Sequence, residues 1–71
     1  MQLSDAVLTA AADWGYAKLQ EEKAWSALQA ATYPPEVDEL RGVHRRARAA
    51  VKAAWLAFDD AVTLWDLEAG Q

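Results

Sequence analysis

Two apolar stripes of matching length, each repeating roughly every 3.5 residues and separated by Pro34 and Pro35, constrain this chain more than anything else in it. The first runs Leu3, Val7, Ala10, Trp14, Ala17, Glu21, Ala24, Leu28, Ala31. The second runs Val37, Leu40, His44, Ala47, Val51, Ala54, Phe58, Ala61, Trp65. A helix with apolar residues along one line must cover that line with something, and a second helix of equal length is the nearest cover. The pattern predicts an all-α fold, a two-helix antiparallel hairpin within one domain over residues 1–71. The helices are expected at about residues 4–31 and 36–68, with the turn at about 32–35.

Local signals agree with that division. Ser4 is the expected N-cap of the first helix, because its hydroxyl can accept a first-turn amide, and Asp5 adds a favourable charge beside it. Pro34 pushes Tyr33 toward an extended backbone, while Pro35 followed by Glu36, Asp38 and Glu39 makes a good helix opening. Gly70 is placed to end the second helix. Gly42 costs about 1 kcal/mol relative to alanine inside a helix, so a kink or short break is expected near Arg41 and Gly42.

With the turn at Pro34 and Pro35, facing residues should have numbers that sum to about 69. Leu28 then faces Leu40 or Arg41, Trp14 faces Trp55, and Val7 faces Val62. Glu21, the acidic member of the first stripe, falls beside Arg48, with Glu22, Arg45 and Lys52 in reach. A structural ion pair is the expectation there. Small residues recur at every second stripe position, Ala10, Ala17 and Ala24 against Ala47, Ala54 and Ala61, and would let the two backbones approach closely.

A hairpin of 71 residues has little core, and the absence of cysteine removes disulfides and thiolate metal sites as staples. Oligomerisation is the staple that remains. At about 100° per residue, Leu8, Ala12, Gly15, Tyr16 and Leu19 make a second apolar stripe on the first helix. Ala49, Ala53, Leu56, Leu64 and Leu67 make another on the second. Neither lies on the line between the helices. Leu8, Tyr16, Leu19, Leu56, Leu64 and Leu67 are therefore the expected self-association residues of a homodimeric four-helix bundle. Trp25 and Trp55 flank the line between the helices, and with Asp59, Asp60 and Asp66 they are the expected contacts for a protein partner.

Composition narrows the remaining classes. The longest apolar run, residues 53–58, is far short of the roughly 20 residues of a membrane span, and residues 1–8 lack a basic start followed by an apolar stretch. A cytoplasmic protein without membrane contact is expected. The net charge of −4, from seven basic and eleven acidic residues, opposes non-specific attraction to nucleic acid. Arg45, Arg48 and Lys52 share a helical face and supply the one nucleic-acid reading; Arg46 points elsewhere, and no groove-reading motif accompanies them.

Chemistry finds little material. His44 is the single histidine, with no serine or cysteine nucleophile placed to use it, and it reads as a packed residue. One histidine with scattered carboxylates lacks the spacing of a di-metal bundle site, and the isolated Gly15, Gly42 and Gly70 form no phosphate loop. No cofactor, metal or catalytic residue is expected. A small helical enzyme using Arg48, Lys52 and Glu21 ranks third.

The reading that results is a non-enzymatic protein-interaction module, a small acidic inhibitor or adaptor. By analogy, phage and mobile-element proteins that block host nucleases have this size and charge. The alternative is a dimeric DNA-associated regulator using Arg45, Arg48 and Lys52. The motifs place the chain in no family.

Overall fold

The computed structural model describes residues 3–70 as two helices, α1 (Leu3–Ala30) and α2 (Pro34–Ala69), folded back on each other as a hairpin. At about 1.5 Å per residue a helix of 36 residues is roughly 54 Å long, so α2 alone sets the 57 Å length of the molecule. The other two dimensions, 15 and 13 Å, are those of two helices and nothing more.

The connection is tighter than the sequence predicts. Only residues 31–33 lie between the helices, because α2 takes both prolines into its first turn, where their missing amide donors cost nothing. Tyr33 caps α2 with an extended backbone, φ −87° and ψ 120°, as its position before proline requires, and its side chain makes no capping bond. The Val37 amide donates to the Tyr33 carbonyl at 2.9 Å and starts the helical ladder. At the other end the Ala31 amide still reaches the Ala27 carbonyl at 3.1 Å, so α1 closes without a special residue.

Two local expectations are corrected and a third holds with different geometry. Ser4 already lies within α1, so it is not the N-cap. Gly42 introduces no break, and α2 passes through it as one continuous helix. Gly70 does end α2, its amide donating to the Asp66 carbonyl at 2.9 Å, but with right-handed angles, φ −78° and ψ −3°. The helix stops there without the left-handed turn that usually explains glycine at this position.

The two stripes do meet. Val7, Ala10, Trp14, Glu21, Leu28 and Ala31 are half-buried, and Ala17 and Ala24 are buried, at 9% and 8% exposure. From α2, Val37, Leu40, His44, Ala47, Val51, Ala54, Phe58 and Ala61 are half-buried. Trp65 departs from its stripe at 45% exposure. The side chain of Leu3, first member of the α1 stripe, lies outside the described residues.

Nothing larger than alanine is buried among the described residues. Two helices in contact can enclose only the line between them, and alanine on that line gives close approach rather than volume. The accessible surface is 5437 Å², against about 4,400 Å² for a compact monomer of this mass. The hairpin thus leaves uncovered roughly 1,000 Å² that a globular chain of the same size would hide.

Two substitutions test this packing by chemical denaturation. Ala24→Leu, in the closest part of the contact, should cost about 1–3 kcal/mol through overpacking, whereas Ala12→Leu on the exposed back of α1 should cost under about 0.5 kcal/mol. Gly42→Ala should raise stability by about 1 kcal/mol, because the added Cβ meets only the Arg46 guanidinium at an ordinary 3.5 Å.

Candidate protein-interaction face

The aromatic residues concentrate where the hairpin opens to one side. Trp14 reaches across from α1 so that its ring centroid lies 5.0 Å from that of Trp55 and 5.8 Å from that of Phe58, the latter nearly parallel at 15°. Trp55 and Phe58 are themselves 5.7 Å apart. Contacts in this range add roughly 0.5–1.5 kcal/mol each beyond area burial, which makes the trio the strongest tie between the helices. The Trp14–Trp55 pairing is the one that the turn position predicts. Lys18 lays its ammonium 5.1 Å from the Trp14 ring centroid, one turn further along α1.

Toward the turn the same side opens into a cleft of about 410 Å³ between Lys18, Glu21, Glu22, Trp25, His44 and Arg48. Trp25 leans over the imidazole with ring centroids 5.2 Å apart. His44 Nε2 lies 3.8 Å from Glu21 Oε1, with side chains 15% and 32% exposed, an ion pair when the imidazole is protonated and too long for a hydrogen bond. Glu21 therefore has its close contact with His44 and not with Arg48, which lines the same cleft from further out. His44 is a packed residue between Glu21 and Trp25. Toward the termini a second, smaller cleft of about 190 Å³ lies among Ser4, Val7, Leu8 and Trp65, almost wholly apolar.

Seven-residue spacing ties these parts into one surface. Ser4, Ala11, Lys18 and Trp25 are each seven apart on α1, and Arg48, Trp55 and Val62 are seven apart on α2. Residues at that spacing lie along nearly one line of a helix. Lys18, Trp25 and Arg48 border one cleft, so the two rows are the opposite banks of a single groove. All four tryptophans stand in or beside it. Trp25, Trp55 and Trp65 remain 48%, 43% and 45% exposed. The spacing was visible in the sequence; what single-helix periodicity does not give is which flank of α1 lies beside which flank of α2.

The expected self-association residues are all exposed, but they do not share this face. Leu8 borders the terminal cleft. Leu19 and Leu56 sit about half a turn from the contact line of their own helices, on the two outer backs of the hairpin, while Tyr16, Leu64 and Leu67 belong to the side opposite the tryptophans. Among the expected partner contacts, Trp25, Trp55, Asp59 and Asp66 fall on the tryptophan side and Asp60 on the other.

The charged residues at the edges are free of strong local ties. Arg41 approaches Asp38 at 3.9 Å with both side chains well exposed. Among the described residues, neither Arg45, Arg48, Lys52, Asp59 nor Asp66 makes an ion pair within 4.0 Å, and no three His, Asp or Glu side chains converge as a metal-ion site. The Asp59 carbonyl accepts the Thr63 hydroxyl at 2.9 Å, a bond within α2 that leaves the Asp59 carboxylate free. Among the described residues no helix is long and apolar enough to cross a membrane. The chain matches no family model, no curated protein and no solved structure.

A double-mutant cycle on Glu21→Ala and His44→Ala should return a coupling of about 0.5 kcal/mol, since the pair is long and partly solvated. Coupling above about 2 kcal/mol by chemical denaturation would mean that this contact, rather than the aromatic trio, holds the middle of the hairpin.

Proposed function

We propose that this chain is a non-enzymatic interaction module, a hairpin that self-associates as a dimeric four-helix bundle and in that form binds a protein partner as a small acidic inhibitor or adaptor. The observation that carries the reading is the exposure of its large apolar residues in the absence of any buried side chain larger than alanine. Apolar surface in contiguous tracts of this kind marks interfaces. Tryptophan is also the residue most enriched among interface anchors.

The charge distribution supports the second half of the reading. Asp59, Asp60 and Asp66 are exposed on the last turns of α2, and no basic residue follows Lys52. That end of the molecule offers a compact negative surface to a basic partner. An inhibitor that covers a nucleic-acid groove would need such a surface, and the phage and mobile-element analogy rests on it alone.

A second reading keeps one observation in its favour. Arg45, Arg48 and Lys52 are exposed on α2, and a dimer would present two such sets to phosphates.

Light scattering over a wide concentration range tests the self-association that both readings share, and DNA binding separates them. The wild type should show close to twice the chain mass at micromolar concentration; a folded monomer throughout would overturn self-association. Fluorescence anisotropy with a labelled DNA duplex should show no salt-dependent binding in the same range. Binding that weakens steeply with salt and disappears in Arg45→Glu with Arg48→Glu would transfer the assignment to the DNA reading.

A further inference from the structure

Asp38, Arg45, Lys52, Asp59 and Asp66 stand seven residues apart along one line of α2, all exposed; Asp38 lies 3.9 Å from Arg41, and the four that follow it carry charges in the order plus, plus, minus, minus, with their midpoint at residues 55 and 56. A helix so charged is complementary to a reversed copy of itself: with the centres aligned, Arg45 opposes Asp66 of the second copy and Lys52 opposes its Asp59, and each pairing occurs twice. A copy laid parallel would set like charge against like. We propose that the tryptophan-bearing groove is closed by a second copy of this chain running antiparallel, with the two-fold axis beside Trp55 and these four charged positions fixing the register. This rests on the self-association reading above and assigns it a face and a direction.

Three observations select this face and this occupant. The groove carries the four tryptophans, whereas the apolar residues on the outer backs and on the opposite side are alanines with scattered leucines, Tyr16 and Val43, set among charged residues such as Asp13, Lys23, Arg46 and Asp60. The surface left uncovered, roughly 1,000 Å² beyond that of a compact chain, matches the roughly 800 Å² that each partner contributes to a stable interface. The alignment set by the charges also agrees with the apolar relief. It brings Trp25, near the turn of one copy, over the cleft that Ser4, Val7, Leu8 and Trp65 form near the termini of the other. The half of the groove toward the turn, where Lys18 and Arg48 line the larger cleft together with Glu21 and Glu22, then lies over the half of the second copy that carries Asp59 and Asp66.

The test uses two variants of the full chain. Arg45→Asp with Lys52→Asp makes these four positions wholly acidic, and Asp59→Lys with Asp66→Lys makes them wholly basic. Each alone should self-associate at least about a hundred-fold more weakly than the wild type by sedimentation, and an equimolar mixture should recover a one-to-one heterodimer with wild-type affinity. If a lone variant is too weakly folded to remain helical, recovery of circular dichroism on mixing reads out the same complementarity. Two outcomes overturn the proposal differently. Variants that each remain dimers of wild-type affinity would move the interface to another face while leaving self-association intact. A wild type that is monomeric at every concentration would remove both.

Discussion

Two helices can bury only the line along which they touch, and every other property of this molecule follows from what that line contains. Here it is built mainly of alanine, with Ala17 and Ala24 the two buried residues. Alanine brings the backbones together but encloses almost nothing. Each buried alanine removes only a small area from water, so the hydrophobic stabilisation of the lone hairpin is modest at about 25 cal/mol per Å². The large side chains are displaced to the margins of the contact. Trp14, Trp55 and Phe58 bridge the helices from one side, and they do so while leaving Trp55 43% in solvent. An aromatic cluster on the rim of a contact is half of a core, and its free half asks for a cover.

The rim also orders the charges. Because the turn consumes only residues 31–33, α1 and α2 run side by side for nearly their whole length, and the seven-residue rows beside the contact stay in step. One bank carries Lys18 and Trp25, the other Arg48 and Trp55. Along Arg45, Lys52, Asp59 and Asp66 the charge passes from basic to acidic toward the end of α2, although the chain as a whole is acidic by four charges. Net charge alone would have hidden this polarity.

Much of the fold was legible in the sequence because the periodicity is strict. From Val7 onward the α1 stripe, and all but the last residue of the α2 stripe, lie against the opposite helix, and the prolines placed the turn well enough to pair Trp14 with Trp55. The departures have local causes. Prolines begin helices as readily as they end them, so α2 starts at Pro34. Trp65 is left exposed beside the open terminal cleft, where the hairpin no longer encloses its flank. Glu21 finds His44 rather than Arg48 because register arithmetic resolves facing residues only to about one turn, and at that resolution either cation fits. The site was less legible than the fold. A stripe read on one helix says how far a residue lies from the contact line, but the side of the hairpin on which it emerges depends on how the two helices are rotated together.

The acidic end of α2 gives the last step. A helix C-terminus carries the negative end of the macrodipole, and Asp59, Asp60, Asp66 and Glu68 crowd toward it with no basic residue in the last turn. The start of α2 is acidic in the usual way at Glu36, so the dipole rule is followed at one end of the helix and opposed at the other. Intrachain pairing does not offset the cost, since neither Asp59 nor Asp66 has a cation within 4.0 Å among the described residues. Asp59 lies seven and fourteen residues, and Asp66 fourteen and twenty-one residues, beyond Lys52 and Arg45 on the same line, so the charges that weaken the helix bearing them are the ones that a reversed α2 alongside would pair.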